Sequence, residues 1–127
     1  MILRPGEIYD REDRNMVTAQ NVKDFMTQPA IVLKGGVSVA HRQSVAKAIV
    51  EAAFTQHNNS TYALGGENLT IAELGRKIQK IHGVGRALVF LDYKLAMRLV
   101  KALKVVKLKL FEEEAVKYAG FNWYCSS

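Results

Sequence analysis

Glycine and proline break this chain at short intervals, and the breaks decide which elements it can build. Pro5-Gly6 stops an apolar start at Ile2-Leu3, which reads as a short strand emerging into a loop. Pro29 ends a segment, residues 15–27, in which Met16, Ala19, Val22, Phe25 and Met26 recur at helical spacing. Asp13 or Asn15 is placed to cap that helix. Ile31-Val32-Leu33 and Val37-Ser38-Val39 flank Gly35-Gly36, a pattern that reads as a β-hairpin with a glycine turn. Gly65-Gly66 closes a short strand at Tyr62-Ala63-Leu64.

Between these breaks the helices are amphipathic. Val45, Ala46, Ile49, Val50 and Ala53 form one stripe on a helix over 43–54. Thr70-Ile71-Ala72-Glu73 is a capping box, with Thr70 accepting from the backbone three residues on and Glu73 reaching back. Ile71, Leu74, Ile78 and Ile81 then share a face, and Gly83 suits a left-handed stop. Leu88, Leu91, Leu95, Leu99 and Leu103 stripe a longer helix over 88–103, with Lys94, Arg98, Lys101 and Lys104 on another face. Val106 to Leu110 alternates like a half-buried strand, and Glu112-Glu113-Glu114 opens a last short helix that stops near Gly120. The expected fold is a single domain over 1–127, of mixed α+β class, with about four to five helices packed on short strands.

No stretch approaches the roughly 20 apolar residues of a membrane span. With no long apolar leader, a cytoplasmic, soluble protein is the expectation. One cysteine, Cys125, makes no internal disulfide and reads as an exposed tail thiol; no Cys/His cluster has metal spacing, so no metal site is expected. The net charge is +6, unevenly placed. Arg76 to Lys109 holds ten basic residues against one acid, Asp92, leaving the rest of the chain net acidic. Such a bias favours an anionic partner, with Lys94, Arg98, Lys101 and Lys104 as the anion-binding residues.

Three segments, in order, resemble a known family. They are Arg4-Pro5-Gly6-Glu7-Ile8-Tyr9-Asp10, then Val39-Ala40-His41-Arg42-Gln43-Ser44-Val45-Ala46-Lys47-Ala48-Ile49-Val50, then Tyr62-Ala63-Leu64-Gly65-Gly66-Glu67-Asn68-Leu69-Thr70-Ile71-Ala72-Glu73-Leu74. Together they resemble the C-terminal, substrate-binding half of the extended short-chain dehydrogenase/reductases, the NAD-dependent sugar epimerases and dehydratases. In that family a strand ends in Arg-Pro-x-x-Ile-Tyr-Gly, a helix starts at His-x-Asp-Asp-Val-Ala, and a Tyr-x-Leu-Gly-Gly strand precedes a Leu-Thr-x-x-Glu-Leu helix. The departures are Asp10 for the glycine and Gln43-Ser44 for the paired aspartates. By family position the resemblance implies substrate contacts at Glu7, Tyr9, His41 and Arg42; the alternative is that these are loop and capping residues kept for folding. It also implies that the Ile2-Leu3 strand would join the cofactor domain's sheet, so that its edge is orphaned here.

The family's chemistry needs a tyrosine with a lysine four residues later. Here Asp13, Gly66, Met97 and Asn122 stand four residues after Tyr9, Tyr62, Tyr93 and Tyr118, and the glycine-rich phosphate loop is also missing. No catalytic residue and no cofactor are therefore expected. The leading reading is a non-catalytic binding or interaction module that forms a homodimer or pairs with a separate protein. A second is one half of a split oxidoreductase needing a cofactor-binding partner. A third is a nucleic-acid binder in which His82-Gly83-Val84-Gly85-Arg86 acts as a helix-hairpin-helix turn beside a basic helix; nucleic acid is the less favoured partner.

Overall fold

The computed structural model describes residues 1–10, 17–55, 60–105 and 113–125. The proposed caps Asp13 and Asn15 and the Val106–Leu110 segment lie outside them. The elements run β1 (Ile2–Pro5), β2 (Glu7–Tyr9), α1 (Val17–Thr27), β3 (Ala30–Val32), β4 (Gly36–His41), α2 (Arg42–Phe54), β5 (Thr61–Leu64), β6 (Glu67–Thr70), α3 (Ile71–His82), β7 (Leu88–Phe90), α4 (Tyr93–Val105), α5 (Glu113–Ala119) and β8 (Asn122–Trp123). This is a mixed α+β fold, as the periodicity predicts. Among the described residues no helix is long and apolar enough to cross a membrane.

The strands form three small sheets. β1 pairs parallel with β5, and β3 pairs parallel with β7. β4 is the centre of the third. β6 runs antiparallel along Gly36–Val39, while β2 runs parallel to Val39–His41 and β8 parallel to Gly36–Val37. A strand has two edges and β6 fills one of them, so β2 and β8 sit end to end on the other. The N-terminal and C-terminal segments are thereby brought to one place.

Pro5 and Gly6 shape the first sheet. The Ile2 N–H donates to the Ser60 carbonyl (2.9 Å) and the Gly6 N–H to the Leu64 carbonyl (3.1 Å). In a parallel ladder alternate residues point their backbone groups to alternate sides, so those of Leu3 face away from β5. Among the described residues no strand pairs with that side. Pro5, also on it, has no N–H to offer.

Two apolar clusters make the interior. Phe25, Val32, Val37, Leu69, Leu74 and Ile78 pack between α1, α3 and the β4–β6 pair. Leu33, Ala96, Val100 and Val116 pack between the end of β3, α4 and α5. Adjacent residues of an extended chain point to opposite sides, and Val32 and Leu33 feed one cluster each. α3 is held at both ends. Thr70 Oγ1 accepts from Glu73 N (3.2 Å), and Glu73 Oε2 accepts from Thr70 N (2.8 Å). Gly83 takes φ 65°, and Val84 N–H reaches the Gln79 carbonyl (3.0 Å). Gly75 lets α3 approach α1, because a Cβ there would run into the Phe25 ring.

The structure corrects several readings. Ile31–Val39 is not a hairpin: β3 and β4 belong to different sheets. Neither Gly35 nor Gly36 adopts positive φ; instead Gly36 N–H bonds the Phe121 carbonyl (3.1 Å) and the Gly35 carbonyl accepts from Ile71 N (3.0 Å), so the pair admits two other segments of chain. The helix over 88–103 is a strand and then a helix, because Leu88–Phe90 pairs with Ala30–Val32 and Asp92 Oδ2 accepts from Lys94 N (3.0 Å) to start α4. Its leucine stripe is not the buried one: Ala96 and Val100 are buried, while Leu95 (48 %) and Leu99 (42 %) are exposed. On α2 only Val45 is buried, leaving Ile49, Val50 and Phe54 (87 % exposed) in solvent, and on α3 Ile81 is exposed as well.

Candidate functional site

The site grows from the shared edge of β4. Glu7 and Tyr9 are two apart on β2, so they lie on one face, opposite Val39 and His41 in register. Tyr9 packs against the first cluster, which puts its ring under α1. Its hydroxyl donates to Glu7 Oε2 (3.0 Å) and also meets the Asn21 side chain from α1. Burial, and after it the negative charge of Glu7, raise the Tyr9 pKa above the ordinary phenol range, and the Asn21 bond only partly offsets them. Tyr9 is therefore a neutral hydrogen-bond donor across the whole physiological range.

From the other end of the same edge comes an aromatic pair. Tyr118 on α5 stacks on Trp123 of β8, with centroids 4.9 Å apart and planes 9° from parallel. The Trp123 indole N–H donates to the Tyr118 carbonyl (2.9 Å), which fixes the stack. The Tyr118 pKa is raised, first by burial and then by the Glu7 charge, so the field of that carboxylate extends to both phenols. The shared edge of β4 thus carries a hydrogen-bonded carboxylate and phenol at one end and an exposed aromatic face at the other. Such a surface accepts hydroxyl donors and stacks on flat or ring-shaped groups.

The four residues expected from family position divide between two settings. Glu7 and Tyr9 bond each other. His41 is the N-cap of α2, its Nδ1 accepting from Gln43 N (3.3 Å). Arg42 pairs through Nε with the nearly buried Asp10 carboxylate (2.5 Å). Asp10, a departure from the family pattern, thus acts as the arginine's counter-charge. The basic set lies elsewhere: Lys94, Arg98 and Lys101 are exposed on α4, whose buried face belongs to the second cluster, and Lys104 falls in the last turn of that helix. Gly83-Val84-Gly85 joins α3 to the strand β7, not to a second helix, so the proposed helix-hairpin-helix arrangement is not formed.

Sequence reasoning missed Asn21, Tyr118 and Trp123. Tyr118 and Trp123 straddle Gly120 and belong to different elements, so no periodicity links them. It also took Cys125 for an exposed thiol, whereas the residue is half-buried over Gly65, with its carbonyl accepting from Asn68 Nδ2 (3.1 Å). Ser38 lies beneath: it is 1 % exposed, and its hydroxyl has no hydrogen-bond partner among the described residues. No group of three or more metal-ligating side chains occurs among the described residues.

No family profile and no curated protein matches the chain. Solved structures do. The protein gox2253 shares 20 % identity with TM-score 0.75, over 99 % of this chain and 40 % of its own. A mutant of UDP-glucuronic acid 4-epimerase from Bacillus cereus, solved with NAD and UDP-4-deoxy-4-fluoro-glucuronic acid, shares 21 % identity with TM-score 0.57, over 72 % of this chain and 32 % of its own. UDP-glucose 4-epimerase from Thermotoga maritima, solved with UDP-glucose, shares 17 % identity with TM-score 0.54, over 71 % and 32 %. The chain thus spans well under half the length of each of these proteins, and its fold is similar to part of an epimerase-like structure.

Proposed function

We propose that this chain is a non-catalytic binding or interaction module built on the substrate-binding half of an NAD-dependent epimerase or dehydratase. The observation that carries the reading is the match of 99 % of this chain to 40 % of a longer one, in a sequence with neither a phosphate-binding glycine loop nor a tyrosine-lysine pair. The state of Tyr9 supports it. A phenol held neutral by burial and a neighbouring carboxylate donates a hydrogen bond and does not act as a phenolate base. Glu7, Tyr9, His41 and Arg42 remain the ligand contacts we propose, now with Tyr118 and Trp123 beside them. Two of the similar structures hold UDP-sugars, so that is the ligand class to try first. A cytoplasmic setting belongs to the same proposal.

Titration calorimetry of the purified chain with NAD(P)(H), UDP-glucose and UDP-glucuronic acid tests the reading. The expected result is no tight dinucleotide binding and no epimerase or dehydrogenase turnover. Stoichiometric micromolar binding of NAD(P)(H), or turnover by the chain alone, overturns it.

A second reading is one half of a split oxidoreductase, favoured by the outward-facing Leu3 backbone on β1. It predicts turnover only after a second, cofactor-binding chain is added.

A further inference from the structure

The second apolar cluster opens to the surface beside a basic helix. Between β3, α4 and α5 lies a cavity of about 200 Å³, lined by Ile31, Leu33, Ala96, Leu99, Val100 and Val116 among others. Every lining residue is apolar, and two of them, Ile31 and Leu99, are themselves exposed, so the cavity reaches solvent between them. An apolar cavity of about 150 Å³ stays dry and accepts a benzene ring, so this one has room for one large apolar side chain.

α4 carries two outward stripes alongside it. Lys94, Arg98 and Lys101 are spaced i, i+4, i+7 and form a basic ridge. Leu95, Leu99 and Ala102 repeat that spacing one residue on and form an exposed apolar ridge between the basic one and the cavity mouth. Asp92, the single acid of the basic stretch, is engaged at the start of α4 with Lys94 N.

We propose that this face of α4 binds an acidic, amphipathic segment of another protein, whose bulky apolar anchor residue fills the cavity and whose carboxylates meet Lys94, Arg98 and Lys101. Charge decides the occupant. In a two-fold contact a second copy of this chain would set ridge against ridge, and like charges across an interface oppose association. A nucleic-acid duplex would meet the ridge but leave Leu95, Leu99 and the cavity uncovered. A lipid surface would cover the leucines and the ridge, but an interfacial helix lies on it as a flat face and needs no pocket. An acidic segment with an aromatic or leucine anchor uses the ridge, the leucines and the cavity together, the arrangement in which one desolvated anchor dominates binding and charges set orientation. This site is separate from the Glu7–Tyr9 surface, so it stands or falls independently of any ligand there.

The test is fluorescence anisotropy with synthetic helical peptides bearing glutamates on one face and leucines on the other, with a central Trp, Phe or Ala anchor. We expect micromolar binding of the Trp and Phe peptides, at least about tenfold weaker binding of the Ala peptide, and a steep fall with salt. The Lys94→Gln/Arg98→Gln/Lys101→Gln variant changes only exposed residues and should weaken binding about tenfold and flatten the salt dependence. Ala96→Leu, which fills the cavity from within, should remove the preference for a large anchor; circular dichroism checks its folding, and the peptide series stands without it. Equal binding of all three anchors overturns the proposal. So does tighter binding of duplex DNA or phosphatidylserine vesicles than of the Trp peptide, or no peptide binding at all.

Discussion

The Tyr9 hydroxyl donates to Glu7 Oε2 across 3.0 Å, two residues back on the same strand, under the first turns of α1. Burial of the ring first, and then the Glu7 charge and this bond, make the folded state favour the neutral phenol. A phenol whose pKa is raised on folding adds stability that is complete below its unfolded value of 10.0 and is lost as pH rises beyond it. Tyr9→Phe should cost about 1 kcal/mol near neutrality. It should also flatten the alkaline decline above about pH 10, as read by urea unfolding over a pH series. Tyr118→Phe, at a more exposed phenol, should flatten it less. An unchanged alkaline limb in Tyr9→Phe would show that folding does not raise the Tyr9 pKa.

The capping box of α3 gives the opposite sign. Backbone and hydroxyl bonds from Thr70 hold the Glu73 carboxyl below its ordinary value of 4.5. Its contribution is therefore present above that pH and lost as pH falls below it. Glu73→Gln should flatten the acid limb of stability. Thr70→Ala should cost about 1 kcal/mol at neutral pH.

Three glycines should respond differently to alanine. Gly75→Ala drives a Cβ into the Phe25 ring and should destabilise by about 1–3 kcal/mol. Gly83→Ala meets open space but must hold φ 65°, and should cost about 1 kcal/mol. Gly85→Ala has neither obstacle and should be neutral or slightly stabilising. Neither Gly83→Ala nor Gly85→Ala should alter weak, salt-sensitive binding to duplex DNA. Submicromolar DNA binding at physiological salt that needs both glycines would restore the nucleic-acid reading.

Self-association should run through α2. Ile49, Val50 and Phe54 form an exposed apolar surface on that helix, and surfaces of this kind find partners. Light scattering at micromolar concentration should report a dimer, and Phe54→Asp should shift it to monomer without loss of helix content. A monomer at high concentration in the unaltered chain would remove this expectation.

What could be read from the sequence was local. The capping box, the Gly83 stop, the end of α1 before Pro29 and the short β5 strand each rest on residues within a few positions of one another. What could not be read depends on distant partners. Gly35-Gly36 resembles a hairpin turn until Phe121 and Ile71 arrive to use its backbone groups. Leu88–Phe90 resembles the start of a helix until Ala30–Val32 pairs with it. The α4 leucines are more apolar than Ala96, yet Ala96 is buried, because it is position on the helix and not side-chain size that meets β3 and α5. For the candidate site, family position points to Glu7, Tyr9, His41 and Arg42, whereas Tyr118 and Trp123 come to that edge only through the pairing of β8 with β4.

That pairing sets a timetable for biogenesis. Residues 36–37 wait for residues 122–123, so while the ribosome is still adding α5, one flank of the central strand has only its β2 neighbour. Contacts so far apart in sequence form late and slowly. Chains truncated before Trp123 should therefore be protease-sensitive at β4 and resistant in α3, and protection of β4 should appear once β8 is present.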